Sequence, residues 1–175
     1  MGAFRGEDKL LIINNKGESK TVTPQMELHF AQVPEVLERW VPEKPITAVY
    51  YDPEKARYFI KRFLIENENK EDSFIKEGGE LIYVGTEWRP VLELEFVKPR
   101  GGDPLPPKQI NVEEFISIKG YKAMGNQLTD KKVKSIQLKK SLPYEIQEEA
   151  AVEEIEVNQP EAVDDEEAPQ TKLDF

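Results

Sequence analysis

Residues 91–97 read Val-Leu-Glu-Leu-Glu-Phe-Val, with Leu92, Leu94 and Phe96 alternating against Glu93 and Glu95. A period of two sends successive side chains to opposite faces of an extended strand, so this stretch fits a sheet with one dry and one wet face. Short apolar runs recur along the chain, punctuated by turn residues. Leu10-Leu11-Ile12-Ile13 runs into Asn14-Asn15-Lys16-Gly17-Glu18, which predicts a strand entering a tight hairpin with Gly17 at positive φ. Residues 19–23 are the expected return strand, stopped by Pro24. A second hairpin is expected from residues 46–51 and 58–65, across Asp52-Pro53-Glu54-Lys55-Ala56-Arg57, where proline after aspartate favours a turn. A third pairs residues 80–85 with 91–97. Residues 111–118 and 133–138 are the last two strand candidates. Residues 26–40 are ambiguous, because Pro34 would break a helix while 35–40 could form a single helical turn. Short strands and turn signals at regular spacing predict an all-β body of antiparallel hairpins, a sandwich, barrel or propeller-like array.

The formal charge of -10 over 175 residues is unevenly distributed. Residues 144–175 hold twelve acids against one base, Lys172, a net of -11. That leaves residues 1–143 with 23 bases and 22 acids, a net of +1. The chain therefore divides into a near-neutral β domain, 1–143, and an acidic tail, 144–175. The tail is rich in Glu, Ala, Val, Pro and Gln and has no long aliphatic run, so disorder is expected there, with a short helix over 144–157 as the alternative.

The chain has no cysteine, which excludes disulfides, thiolate metal sites and a catalytic thiol, and fits a reducing compartment. No window approaches the roughly 20 apolar residues that a spanning helix needs, and the N-terminus lacks a basic region followed by an apolar core. The expectation is a soluble, cytoplasmic protein with no membrane partner. Met1-Gly2-Ala3 reads as an added start, which would make the chain a piece of a longer one.

Enzyme constellations are scarce. His29 is the only histidine, without a cysteine or second histidine to share a metal, and no serine sits in a Gly-x-Ser-x-Gly setting. The pairs Glu113-Glu114 and Asp164-Asp165 lack a fixed geometry for acid-base work, and Gly78-Gly79 and Gly101-Gly102 read as turns rather than phosphate loops. No catalytic residue, metal site or cofactor is expected in this chain.

The basic residues say more. Lys119, Lys122, Lys131, Lys132, Lys134, Lys139 and Lys140 fall within residues 117–140 beside a single acid, Asp130. Each lysine that neutralises a phosphate releases counterions and adds salt-dependent, sequence-independent affinity. Arg57, Lys61 and Arg62 form a smaller group, although strand alternation would put Lys61 and Arg62 on opposite faces. Charge alone leaves a nucleic-acid surface and a solvated face equally open.

Residues 111–128, Asn-Val-Glu-Glu-Phe-Ile-Ser-Ile-Lys-Gly-Tyr-Lys-Ala-Met-Gly-Asn-Gln-Leu, resemble a stretch near the C-terminal end of the A subunit of bacterial type IIA topoisomerases, the DNA gyrase and topoisomerase IV group, in its Bacteroidetes-like form. The most specific part is Lys119-Gly120-Tyr121-Lys122-Ala123-Met124-Gly125-Asn126, where Gly120 and Gly125 are expected at sharp turns. Residues 47–52 and 58–63 are similar to the same family's pattern, and residues 10–17 to its recurrent blade opening, so the resemblance covers roughly 5–140.

It implies a C-terminal β-pinwheel, a disc of propeller-like blades whose basic rim contacts and bends double-stranded DNA. With three clear hairpins, the array here would be partial or reduced. The family's catalytic tyrosine lies in a separate N-terminal breakage-reunion region, so Tyr50, Tyr51, Tyr58 and Tyr121 do not inherit its role. The implied partners are DNA, that breakage-reunion region and the ATPase B subunit. Lys98-Pro99-Arg100-Gly101-Gly102-Asp103 matches only a fragment of the glycine-rich wrapping box of gyrases, which favours a topoisomerase IV-like role. Under the same resemblance the acidic tail would modulate DNA engagement; its plainer role is solubility. Gln170-Thr171-Lys172-Leu173-Asp174-Phe175 is similar to bacterial sliding-clamp-binding peptides, with Gln170, Leu173 and Phe175 as the anchors. The rival reading is a β-propeller-like protein-interaction module with an acidic tail and no nucleic-acid role, with Trp40 and Trp88 as candidate docking residues.

Overall fold

The computed structural model describes residues 5–25 and 28–144. Strand β1 (Leu10–Ile13) and strand β2 (Glu18–Val22) form the first hairpin, in register from Leu10 opposite Val22 to Ile13 opposite Ser19. The Asn14 side chain accepts from the Lys16 and Glu18 amides, and Gly17 takes φ +80°, so the turn forms as its residues dictate. Strand β3 (Val36–Arg39) joins the open edge of β1. A helical turn at 35–40 is therefore not formed. The exposed edge of β1 needs hydrogen-bond partners, and the Glu35 and Trp40 amides supply them by donating to Ile13 and Lys9 at 2.8 Å each.

Strands β4 (Ile46–Asp52) and β5 (Arg57–Phe63) form the second hairpin, from Ile46 opposite Phe63 to Asp52 opposite Arg57. Asp52 Oδ1 accepts from the Glu54 amide at 2.9 Å and caps the turn. Strand β6 (Asp72–Ser73) then crosses back to pair with β2, closing a first sheet of order β3-β1-β2-β6.

Strand β7 (Glu80–Gly85) does not pair with strand β8 (Pro90–Phe96), contrary to the expected third hairpin. It lies on β4 instead. The connection Thr86-Glu87-Trp88-Arg89 offers no Gly or Asn for a tight reversal, so the chain crosses to another sheet.

Strand β9 (Lys108–Asn111) pairs with β8 and runs into α1 (Val112–Phe115), a single helical turn where a strand over 111–118 was expected. Val112 and Ile116, four apart, both bury at that spacing, and the Ile116 amide donates to the Val112 carbonyl at 2.9 Å. Strand β10 (Asn126–Thr129) returns to β5, and strand β11 (Val133–Ser141) pairs with β8. The second sheet is thus β10-β5-β4-β7 and the third β11-β8-β9. The described residues form an all-β structure, with several antiparallel sheets and no closed barrel among them.

Two cores flank the second sheet. On one face Ile46, Ala48, Tyr50, Phe59 and Phe63 meet Leu11 and Ile13 of the first sheet; on the other, Val49, Tyr58 and Ile60 meet Leu92, Leu94 and Ile110 of the third. Burial on both faces explains why β4 reads as a nearly continuous apolar run and why β5 buries even Lys61 and Arg62, while β8 alternates. Among the described residues no helix is long and apolar enough to cross a membrane.

Candidate nucleic-acid interface

Two of the sequence-predicted contacts are removed by burial. Lys61 points into the first core with no exposed surface, and its ammonium donates to the Phe74 and Tyr121 carbonyls at 2.6 Å each. Burial, and secondarily the charge of Lys122, push its pKa down to about 8. Arg62 is on the opposite side of β5, as alternation requires, but it too is buried and donates to the Trp88 carbonyl at 3.0 Å. Lys61 offers a phosphate no surface, and Arg62 keeps only 8% of its own exposed. The period of two marked opposite faces; it could not show that both faces are covered.

The segment that carries the family resemblance is mostly exposed but is anchored in the core by Val112, Ile116, Tyr121 and Leu128. Tyr121 sits edge-on to Phe63 at 5.5 Å and to Phe74 at 6.3 Å. Its hydroxyl donates to the Asp72 carbonyl at 2.7 Å and lies 2.8 Å from Ser19 Oγ. Gly125 takes φ +87°, and a methyl group there would overlap the Ile60 carbonyl and Lys61 Cβ, so only glycine lets the chain approach β5 this closely. Gly120 differs from expectation. It has no positive φ, and an added Cβ would meet only the Glu66 carboxylate, at 3.8 Å.

The remaining lysines separate by partner. Lys122 is exposed but donates to Asp72 Oδ1 at 2.5 Å and to the Ser73 carbonyl at 2.8 Å. On β11, Lys134 lies 3.6 Å from Glu95 and Lys139 3.4 Å from Glu93, so the wet face of the alternating strand β8 draws on both. Lys119, Lys131, Lys132 and Lys140 are exposed and have no ion pair among the described residues. Lys119 bridges Phe63 at one end of β5, whereas Thr129, next to the Lys131-Lys132 turn, pairs with Tyr58 near the other. At about 3.3 Å per residue the run is spread along roughly 15–20 Å of β5 rather than gathered in one patch.

At the Tyr58 end the fold adds two cations. Arg57 donates to Gln127 of β10 at 2.9 Å, and Lys55 lies 3.0 Å from Met124 Sδ and over the Phe59 ring. Ala56 of the β4–β5 turn and Asp130 and Lys132 of the β10–β11 turn line one cleft on the Tyr58 face of the second sheet, whereas Lys55 sits on the Phe59 face. Lys55 lies some 75 residues from Lys131, and no local signal in the sequence links them. The cleft between these turns, of about 580 Å³, is lined by Tyr51, Tyr58, Lys132, Lys134, Glu80 and Asp130 and is mixed in charge.

Elsewhere, His29 is exposed on a shallow cleft of about 290 Å³ with Glu18, Glu71 and Lys20. Among the described residues no three His, Cys, Asp or Glu side chains gather to hold a metal. Lys98 and Arg100 are exposed on the β8–β9 connection, with Gly101 at φ +77°. Gln170, Leu173 and Phe175, and the tail beyond Tyr144, lie outside the described residues.

A family model described as the topoisomerase C-terminal domain of Bacteroidota matches residues 1–141. The chain belongs to that family. No curated protein and no solved structure matches it. The topoisomerase domain match takes in all three sheets and reaches Ser141, the last residue of β11, so every lysine of the 117–140 run falls within the family unit.

Proposed function

We propose that this chain is the DNA-holding, non-catalytic C-terminal domain of a type IIA topoisomerase A subunit, contacting and bending duplex DNA through its phosphates. The observation that carries the reading is the set of exposed cations along the edge strand β10, with Lys131 and Lys132 unpaired just beyond its end and Arg57 and Lys55 reaching Gln127 and Met124, inside a domain of the topoisomerase family. Lysine is a flexible point charge suited to phosphate, whereas reading a base edge usually takes a bidentate arginine. In this reading the three sheets are blades of a partial β-pinwheel. Strand breakage belongs to the parent's breakage-reunion region, the ATPase B subunit supplies energy, and this chain needs no cofactor. The setting is cytoplasmic, and the poor match to the wrapping box favours a topoisomerase IV-like role. The clamp-binding peptide is a further proposed contact.

The test is a binding isotherm on random-sequence duplex over a salt series. Three or four phosphate contacts, each contributing about 0.9 to the log-log slope, should weaken binding roughly 40- to 150-fold between 50 and 200 mM salt. A flat response would overturn the mechanism. Phe30, Val33 and Leu37, exposed around the edge strand β3, favour the rival protein-docking reading, which expects no DNA retention at any salt. The tryptophans do not support that rival: both are partly buried, and Trp40 packs against the first core.

A further inference from the structure

Lys61 is among the largest fully buried side chains of the domain, and the DNA-holding role makes no use of it. We propose that Lys61 is a positioning residue, its ammonium fixing the 119–125 segment onto the seam between the first and second sheets so that Lys119 and the start of β10 are presented in one place. The consequence for binding rests on the DNA-holding role above; the ordering of the segment does not.

Three separate parts of the chain meet at this one atom. Lys61 comes from β5 of the second sheet, Phe74 follows β6 of the first sheet, and Tyr121 lies on the segment that returns from the third sheet to β10. An ammonium has three donors. Two go to the Phe74 and Tyr121 carbonyls, and the nitrogen lies 4.9 Å from the centre of the Phe63 ring, a cation–π contact. The charged groups that face it are Lys122 from the same segment and Glu66 from the connection after β5, with Asp72 of β6 held by Lys122. Glu18 of β2 acts on the neighbouring Tyr121.

Burying this charge costs stability, as its depressed pKa shows, and that cost offsets the two hydrogen bonds that a methionine of similar length would lose, so the variant should fold about as well. What methionine cannot do is favour one placement of two carbonyls. The diagnostic signature is therefore a split between global stability and local order.

The experiment compares the full chain with Lys61→Met and Lys61→Arg by thermal unfolding, by hydrogen exchange over 119–125 at pH 7, and by DNA binding at low salt. Lys61→Met should keep or raise the midpoint, lower protection over 119–125 by tenfold or more and weaken DNA binding several-fold, with Lys61→Arg recovering part of the protection. Unchanged protection would overturn the proposal, and so would a midpoint lowered by more than about 5 °C or a failure to fold, because Lys61 would then be a stability element. The wild-type chain supplies an independent check. Between pH 8 and pH 10 the folded Lys61 has released its proton while the unfolded lysine keeps it, so the midpoint should rise; a fall across that interval overturns the proposal. If the wild-type chain binds no DNA, the functional reading fails while the exchange data still decide the role of Lys61. If protection falls and DNA affinity does not, the presentation of Lys119 and β10 is overturned.

Discussion

Tyr50, Tyr83 and Tyr121 each have a phenol pushed up to about 12, chiefly by burial. Asp52 reinforces the effect at Tyr50 and Glu87 at Tyr83; at Tyr121 the Ser19 hydrogen bond opposes it. A free phenol ionises near pH 10, so between pH 10 and 12 the unfolded chain has lost protons that the folded chain retains, and stability falls as pH rises. Below pH 10 the contribution is intact. Two units correspond to about 2–3 kcal/mol for the buried Tyr50 and Tyr121 rings and to less for the part-buried Tyr83. Unfolding should therefore set in cooperatively between pH 10 and 12, with tyrosinate absorbance rising in step with loss of near-UV circular dichroism. Phenols that titrated at pH 10 with the fold intact would mean that these rings are open to solvent. In the sequence Tyr121 reads as an aromatic among DNA-facing lysines. Its segment is irregular, so no period exists to reveal that the ring is buried.

At the scale of elements, the hairpins β1–β2 and β4–β5 were legible because strand, turn and strand are contiguous and the turn residues, Gly17 and Asp52, declare themselves. The pairings of β6 with β2, β10 with β5 and β7 with β4 join residues far apart in the chain or in different hairpins, and no local pattern encodes them. The β10–β5 pairing rests on Gly125. Gly125→Ala combines a left-handed backbone with overlap against β5 and should cost at least about 1–3 kcal/mol, read as a lower urea midpoint. Strand β11 shows why lysines were only half informative. It is an edge strand of nine residues, and lysines on an exposed edge discourage pairing with another chain. Replacing Lys139 and Lys140 by threonine should raise light scattering on mild heating, and Lys139→Thr alone should leave DNA affinity little changed, because Lys139 already faces Glu93. An equal loss of affinity at Lys139 and at Lys131 would contradict the division of the run by partner.

For the whole molecule, the decisive quantity is the split of charge, +1 over residues 1–143 against -11 over 144–175. That split was readable from sequence alone, whereas the placement of Lys55 and Arg57 beside β10 required the fold. If the domain holds DNA as proposed, a covalently attached polyanion would compete with phosphate at a high effective concentration. Removing it also lifts a long-range repulsion between the chain and DNA, which salt screens beyond about 10 Å at 0.1 M. Truncation after Pro143 should therefore tighten duplex binding several-fold at low salt, with the gap between the two chains closing as salt rises. Charge reversal at Lys131 and Lys132 in the truncated chain should then remove most of the gain and lower the salt slope by about one per lysine. Equal affinity of the full and truncated chains at low salt would restrict the tail to solubility, and a gain that survived at high salt would point to a steric rather than an electrostatic origin.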